Sequence, residues 1–221
     1  MNPLTYLHLQ MRLEGKEIVK GCLMRQADVV PGEELPLVLI AQLVIAELMV
    51  YYDEAISSAL QKELAANTDD IEFPRIDSLL HILERHHVGF ALGHYKTYIF
   101  PALPSKDADV LSLSKYDPKV KAFGFDGFAE QVYAIERDEE LVSACVSARE
   151  NEKCGEAWMY TAPEYRHQGL GQKVVHAWAR SLMDADKVPF YSHKIENAAS
   201  ANLAGKIGLQ PIFEEIAIMQ R

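Results

Sequence analysis

A glycine-containing segment between a predicted strand and a predicted helix carries the strongest chemical signal in the sequence. Residues 161–172 read TAPEYRHQGLGQ, and the following helix repeats apolar side chains at helical spacing from Leu170 to Leu182. Glycine lets the backbone approach a ligand closely, and the unpaired N–H groups of a first helical turn attract an anion. The segment therefore predicts an anion-binding loop, with a tight strand-to-helix turn that merely requires glycine as the alternative.

Two common phosphate-binding motifs do not fit this loop. A Walker loop needs a Lys followed by Ser or Thr directly after its second glycine, whereas Lys173 follows Gln172 and no hydroxyl residue comes after it. A dinucleotide-binding loop needs a third small residue where Val174 stands. The anion is therefore expected to belong to a different kind of ligand.

A second segment, residues 197–209, reads NAASANLAGKIGL and predicts an Asn-led helix that ends at a glycine. In the first segment, Arg166, Gly169 and Gly171 fill the fixed positions of an Arg/Gln-x-x-Gly-x-Gly/Ala loop. Together the two segments resemble the GNAT superfamily of acyl-CoA-dependent N-acyltransferases. The order of strands, loop and helices over residues 109–221, about half the chain, agrees with this resemblance.

The resemblance implies that acetyl-CoA is the cosubstrate and assigns its contacts. The strand end before the loop would hydrogen-bond the pantetheine arm through its backbone, and residues 167–172 would hold the pyrophosphate. Asn197 would donate its amide to the arm, with an ordinary helix cap ahead of Ala198 as the alternative. The predicted cofactor-binding residues are Met159, Tyr160, Thr161, Arg166, His167, Gln168, Gly169, Leu170, Gly171, Gln172 and Asn197.

Glu156 is the predicted catalytic base. A base is needed because an alkylammonium with a pKa of about 10.4 is almost wholly protonated at neutral pH. Strand periodicity places Glu156 on the face of Trp158 and Tyr160, and some superfamily members carry a catalytic Glu near this position. A surface Glu at a strand start after Gly155 is the alternative, and Glu130 is a weaker substitute. Backbone N–H groups near Tyr160 are predicted to stabilise the thioester oxyanion.

The general acid is the point at which the sequence departs from the resemblance. Many relatives carry a Tyr seven residues after the Asn, where this chain has Ala204. Ser200, one turn earlier on the same predicted helix, is the first substitute, and Tyr191 on the preceding strand is the second. A coenzyme A thiolate can also leave without an acid, because it is a fairly good leaving group.

Strands and helices alternate around these segments. Three strand-like runs separated by short polar turns must pair antiparallel, and a strand–helix–strand crossover then adds a parallel pair. The resemblance implies a fold of the α/β (α+β) class, with a mixed, mostly antiparallel sheet flanked by helices. The predicted strands are 109–112, 131–136, 141–149, 156–161, 189–194 and 213–219, and the predicted helices are 118–123, 170–184 and 198–207.

The first hundred residues read mainly as helix. Long apolar stretches predict a helix over residues 37–64, and apolar spacing predicts another over 76–86. The first contains the one candidate for a membrane span, but Gln42 and Glu47 interrupt it and favour a buried helix, with a dimer-forming helix as a third option. A proline-rich break near residue 104 then separates two predicted domains. These are a mainly helical N-terminal region, 1–107, and a GNAT-like acetyltransferase domain, 108–221.

Composition narrows the classes of partner. The 221 residues include 22 Lys and Arg against 32 Asp and Glu, a net charge of −10, which argues against a nucleic-acid partner. Three cysteines at unrelated spacings favour a reduced compartment, and no export signal is visible at the start, so we predict a cytoplasmic protein without a membrane partner. A metal site is not predicted. The sequence around His81 and His86 matches neither the zincin motif nor its inverse, because Arg85 interrupts both.

The resemblance implies an N-acetyltransferase that moves an acetyl group from acetyl-CoA directly to a primary amine in a ternary complex. The acceptor is expected to be a small-molecule or peptide amine. The negative net charge of the chain weakly favours a cationic acceptor. A covalent route through Cys145 is a minor alternative. A different class also stays open: a non-catalytic acyl-CoA-binding sensor or partner-binding protein, in which the missing Tyr reflects lost chemistry. A homodimer is a further expectation for its assembly.

Overall fold

Mostly antiparallel strands flanked by helices form the fold. The computed structural model describes residues 2–69 and 71–221, and its elements confirm the mixed α/β class that the sequence predicts. Two compact units make up the chain. The first unit comprises Met1–Lys96 with Ile212–Arg221, and the second unit comprises Thr97–Pro211.

This division differs from the domain boundary predicted at residue 107. The proline-rich break packs within the second unit, where Arg180 donates a hydrogen bond to the Pro104 carbonyl (2.9 Å) and Lys173 pairs with Asp107 (3.1 Å). The prolines mark where secondary structure ends, and this is what the sequence shows. The contacts of Arg180 and Lys173 with this segment place it in the second unit, and the sequence does not reveal them. The assignment of the acetyltransferase to residues 108–221 stays a prediction.

The first unit combines three helices with antiparallel and parallel strand pairs. Asn2 caps its first helix by accepting a hydrogen bond from the Thr5 N–H (2.8 Å), and Pro3 occupies the first turn. Its elements are α1 (Pro3–Leu13), β1 (Lys16–Lys20), β2 (Leu23–Gln26), β3 (Val38–Leu43), β4 (Leu48–Asp53), α2 (Ser58–Ala65), α3 (Asp77–Arg85), the start of β5 (Phe90–Ile99) and most of β11 (Gln210–Gln220). The strands follow the spatial order β1-β2-β4-β3-β11-β5, with β2 and β4 parallel.

The apolar run expected to be one buried helix forms a hairpin, so the helix prediction over residues 37–64 is wrong. β3 and β4 pair antiparallel, and Ala46, with φ of 63°, lies in the turn between them. All of β3 is buried except Gln42, which is partly exposed. A strand buried on both faces lacks the polar alternation of an ordinary strand, and its sequence then resembles a buried helix.

The expectation of a mainly helical N-terminal region is therefore also wrong. Within residues 2–69 and 71–107, the chain forms five strands, β1 to β5, and three short helices. The helix predicted over 76–86 is confirmed as α3, whose buried side chains Leu79, Ile82 and Leu83 follow helical spacing. Across residues 2–69 and 71–221, none of the helices has the length and hydropathy that crossing a lipid bilayer requires.

The second unit contains the meander that the sequence predicts. Its elements are the end of β5, β6 (Leu111–Ser114), α4 (Pro118–Ala122), β7 (Gln131–Arg137), β8 (Glu140–Glu150), β9 (Cys154–Thr161), a short 3-10 turn (Pro163–Tyr165), α5 (Leu170–Asp184), β10 (Val188–Lys194) and α6 (Ala198–Ile207). Strands β6 to β9 pair antiparallel in chain order, and β10 lies parallel to β9. The strand pairs thus follow the mixed pattern expected from the loop lengths.

Two apolar clusters cover the faces of this meander. One contains α5, which buries Val174, Trp178 and Leu182 against the strands, and the Trp178 indole N–H donates to the Ser147 hydroxyl (2.9 Å). The other contains α4 and the segment after it, which pack against alternate residues of β7 and β8, Val132, Ala134, Ala144 and Val146. Alternate residues of the next strand, β9, therefore lie on opposite faces of the unit.

The hairpin between β7 and β8 offers a test of local backbone strain. Its two loop residues, Asp138 and Glu139, have φ of 49° and 68°, as in a type I′ turn. We expect Asp138→Asn with Glu139→Gly to raise the free energy of unfolding by about 1 kcal/mol, because a residue with a Cβ pays about 1–2 kcal/mol in this conformation. Urea unfolding measures the change. Glu139→Ala keeps the Cβ and should bring no gain, and equal effects of Ala and Gly would contradict the strain argument.

Candidate active site

The strands β9 and β10 separate partway along their length. Their parallel register pairs Cys154 with Val188 and continues to Glu156 with Phe190, where the pairs described for these strands end. Beyond this point, which we call the fork, one edge of residues 157–161 is no longer paired to β10. The resemblance implies such a separation, because an amide-rich ligand arm can hydrogen-bond to an open strand edge. The fork lies wholly within the second unit.

The predicted anion loop follows directly from the fork. Gly169 precedes α5 with φ of 79°, and no side chain caps this helix end within the described residues. The first-turn N–H groups of α5 are thus oriented for an anion. His167, Gln168 and Gly169 are exposed, whereas the Leu170 side chain is buried in the core and can contribute only its backbone.

Two further loop residues hold the helix start against the strand end. Arg166 donates from Nε to the Thr161 carbonyl (3.0 Å), and its guanidinium lies 5.8 Å from the Tyr160 ring centroid. A Cβ on Gly171 would come within 2.7 Å of the Met159 side chain, so glycine permits the close approach of α5 to β9. The structure therefore brings together Met159, Tyr160, Thr161, Arg166 and the glycines that the sequence singled out.

Glu156 lies at the fork and is 4% exposed, so the alternative of an exposed surface Glu is wrong. Arg149 donates to one of its carboxylate oxygens, and the Ser192 hydroxyl donates to the other. Sequence reasoning identified neither partner. Each carboxylate oxygen can accept a second hydrogen bond, so an amine can reach Glu156 beside these donors or lose its proton through the Ser192 hydroxyl. The assignment of Glu156 as the base stays a prediction.

The candidate acids lie on the other face of β10. Tyr191 is 3% exposed, its hydroxyl donates to the backbone carbonyl of Ser200 (3.4 Å), and burial raises its pKa to about 12. Its ring packs in the cluster that contains Ala204, the position at which many relatives carry a Tyr. Tyr191 thus places a protonated phenol next to the first turn of α6, while Ser200 contributes its carbonyl to this contact.

His193 is a candidate proton acceptor that sequence reasoning missed. It is 7% exposed on β10 beyond the fork, and its Nδ1 lies 2.8 Å from the Lys194 carbonyl. Nε2 lies 3.2 Å from the Tyr98 hydroxyl, and the two rings stack with centroids 5.5 Å apart. A neutral imidazole that donates from Nδ1 can accept a proton at Nε2. The alternation of Tyr191 and His193 on one strand was the only available signal.

Two chemistries receive no support from the described residues. Cys145 is fully buried, and burial raises the pKa of its thiol well above the ordinary value, which disfavours a thiolate nucleophile. No group of three or more His, Cys, Asp or Glu side chains within residues 2–69 and 71–221 could hold a metal ion. His86 instead contacts Glu63 (2.7 Å), and His94 contacts Glu214 (2.8 Å).

Asn197 caps α6, and this role can be separated from cofactor binding. Its side-chain oxygen accepts a hydrogen bond from the Ser200 N–H (3.1 Å). We expect Asn197→Asp to keep the cap and the melting temperature, but to weaken acetyl-CoA binding about tenfold if the amide also donates to the ligand. Asn197→Ala should lose both, with a stability cost of about 1 kcal/mol. Thermal melts and calorimetric titration distinguish the two roles. Unchanged affinity for acetyl-CoA in Asn197→Asp would show that Asn197 acts only as the helix cap.

Comparisons with known proteins agree with this architecture. A family model described as GNAT acetyltransferase matches residues 40–216, which extends well upstream of the predicted domain boundary. An uncharacterized N-acetyltransferase, YdfB of Bacillus subtilis, is 26% identical over 180 residues, which cover 74% of this chain and 68% of that protein. The fold is similar to that of an acetyltransferase from the GNAT family of Colwellia psychrerythraea, with a TM-score of 0.52 and 10% identity over 78% of this chain and 76% of the other.

Proposed function

This chain belongs to the GNAT acetyltransferase family, a family of acyltransferases, and on that basis we propose that it transfers an acetyl group from acetyl-CoA to a primary amine. The observation that carries the proposal is the continuity of the fork, the loop and the start of α5. Within one segment of the second unit, an open strand edge leads into a helix N-terminus that faces solvent. These two features suit the pantetheine amides and the pyrophosphate of one ligand.

The proposed reaction is a direct transfer within a ternary complex. The amine nitrogen attacks the thioester carbonyl carbon, the C–N bond forms, and the C–S bond then breaks. Before the attack, the ammonium group loses one proton to the Glu156 carboxylate, directly or through the Ser192 hydroxyl, and the nitrogen releases a second proton to water as the amide forms. Backbone N–H groups near Tyr160 stabilise the oxyanion, and the leaving thiolate accepts a hydrogen bond from Tyr191 and takes its proton from water.

The groups that would carry protons are already ordered by their neighbours. Arg149 and Ser192 hold the Glu156 carboxylate in one orientation at the fork, which reduces the entropy lost when an amine binds. Tyr191 keeps its proton at neutral pH because its pKa is about 12. It therefore serves better as a hydrogen-bond donor to the thiolate than as a strong acid.

Binding and turnover test this proposal together. Calorimetric titration with acetyl-CoA should show saturable binding, and thiol release should depend on an added amine. Protein that does not bind acetyl-CoA even at millimolar concentration would overturn the proposal. A matched control with acetyl phosphate, which lacks the pantetheine arm and the pyrophosphate, should show neither binding nor transfer.

A non-catalytic acyl-CoA sensor is the second candidate, and one observation favours it. Both Glu156 oxygens accept hydrogen bonds, while Ala204 fills the place of the usual Tyr. The sensor should bind acetyl-CoA without transferring the acetyl group to any amine. Turnover with any primary amine would eliminate it.

The acceptor, the assembly and the location are proposals of the same kind. The net charge of −10 supports a cationic small-molecule or peptide amine, and it disfavours nucleic acid as a partner. We propose a cytoplasmic enzyme without a membrane partner, with a homodimer as the assembly to test. Light scattering of the purified protein measures the oligomeric state.

A further inference from the structure

Five aromatic rings form a continuous cluster on one face of the second unit, which we call the aromatic wall; Phe125 is buried (4% exposed) and supports the four more exposed rings. Phe123 lies 5.3 Å from Phe125 and 5.7 Å from Tyr160, between ring centroids. Phe128 lies 5.7 Å from Phe125 and stacks on Trp158 at 5.8 Å. The wall therefore joins the segment after α4 to the outer half of β9. Neither the sequence analysis nor the proposed reaction gives this surface a role.

The wall lies next to the proposed base. Glu156, Trp158 and Tyr160 alternate along β9 and so share one face of the strand. Trp158 is 50% exposed and Tyr160 is 41% exposed, whereas Glu156 is buried at the fork. Two residues along a strand span about 6.6 Å, so the backbone of Trp158 lies one such step from that of Glu156. The Ser192 hydroxyl, which contacts Glu156, marks the inner end of this path.

The aromatic rings favour a cationic occupant for this surface. The guanidinium of Arg166 already lies over the Tyr160 ring, which provides an internal example of a cation on the wall. Two exposed carboxylates, Asp126 and Glu130, lie within two residues of Phe128 in the sequence. Since Lys115 pairs with Glu130 (3.0 Å), the aromatic rings provide most of the recognition surface. This composition suits an ammonium ion with an apolar body better than a polyamine, which needs several carboxylates.

We propose that the acceptor is an arylalkyl primary amine whose ring stacks on Trp158. Phe128 supports the other side of the indole, and a short methylene linker carries the ammonium group to Glu156 and Ser192. The ammonium proton leaves towards this pair, and the nitrogen then forms the amide bond described above. The inference rests on the proposed function, because it names the substrate class of that same site.

The test compares 2-phenylethylamine with 2-cyclohexylethylamine, which has the same length and an apolar body without π electrons. The wild-type kcat/KM should favour the aromatic amine about tenfold. Trp158→Leu should reduce this preference to near unity and leave acetyl-CoA binding unchanged. Tyr116→Leu is the matched control, because Tyr116 is an exposed aromatic residue (76%) whose ring contacts only Lys115 among the described aromatic and cation–π contacts. It should keep the wild-type preference.

A second measurement does not depend on turnover. The chain has two tryptophans, and Trp178 is buried, so iodide quenching of fluorescence reports chiefly on Trp158. Saturation with 2-phenylethylamine should protect the wild-type protein from iodide and have no effect in Trp158→Leu. Absence of protection, or equal rates for the two amines, would overturn the inference.

The two proposals fail in different ways. Loss of acetyl-CoA binding in the wild type would contradict the proposed function, and the quenching experiment would still decide the role of the aromatic wall. Transfer to aliphatic and aromatic amines at equal rates would confirm acyl transfer and reject the arylalkylamine acceptor. A dimer that shields Trp158 from iodide without any amine would also reject it, because a second copy would then cover the wall.

Discussion

Replacing Gly169 with Glu should raise the dissociation constant for acetyl-CoA by about a hundredfold, or about 2.7 kcal/mol. The new carboxylate would project from the residue before α5 and repel a pyrophosphate at that helix end. The fold should survive, because no heavy atom lies within 4 Å of an added Cβ. The φ of 79° adds about 1–2 kcal/mol of strain, of which the helix dipole offsets a part.

Asn provides the matched control at this position. Gly169→Asn carries similar bulk near the backbone and tolerates a positive φ, but it adds no charge. We expect it to weaken binding by no more than about tenfold. Calorimetric titration gives both affinities, and thermal melts report the strain. Wild-type affinity in Gly169→Glu would show that the pyrophosphate binds elsewhere and that the loop is only a turn.

Glu156→Gln should lower kcat by about a hundredfold to a thousandfold and leave acetyl-CoA affinity unchanged. Gln keeps the shape of the side chain and a hydrogen bond at the fork, but it cannot accept a proton from the ammonium group. The change also weakens a charge-assisted contact with Arg149, which should cost about 2 kcal/mol of stability. Steady-state kinetics at saturating acetyl-CoA, beside a thermal melt, measures both effects.

The pH dependence separates a catalytic role from a structural one. If Glu156 removes the proton, the variant should recover activity as pH rises towards the amine pKa of about 10.4, because the free amine then needs no base. A variant whose site is misfolded should not recover activity as the pH rises. Glu152→Gln is the control, because Glu152 is an exposed carboxylate in the turn between β8 and β9, and its kcat should stay within about twofold of wild type. No kinetic change in Glu156→Gln would show that Glu156 is not the base.

The second unit was largely predictable because its helices carry local start and stop signals. The predicted helices 170–184 and 198–207 match α5 and α6 at both ends. Gly169 and Asn197 mark their starts, and Gly208, with φ of 75°, ends α6. The strands of the meander are separated by short polar turns, which require antiparallel neighbours.

The first unit offered fewer signals. The turn between β3 and β4 runs through Val44, Ile45 and Ala46, without Gly, Pro, Asn or Asp to mark it. Both apolar side chains at its tip are exposed, so even burial does not follow hydropathy there. A hairpin of this kind depends on pairing with distant residues of β11, and local sequence does not reveal that pairing.

The site was predictable only in part for a similar reason. The loop and its glycines are contiguous in sequence, but the partners of Glu156 come from β8 and β10. The register of β8 shifts between Ser147 and Arg149, and this irregularity sets Arg149 opposite Glu156. A shift of one residue changes which side chains meet, and sequence alone does not locate such a bulge.

The path of β11 has a consequence for the order in which the chain can fold on the ribosome. Residues 97–211 are contiguous, so the second unit has all its residues as soon as that stretch emerges. β3 is synthesised much earlier, but its partner residues Phe213–Ile218 come almost at the end of the sequence. Until they appear, one edge of β3 lacks its hydrogen bonds. The half of the protein made first is therefore completed last, and until then its apolar hairpin presents an unpaired strand edge, a kind of edge that favours aggregation.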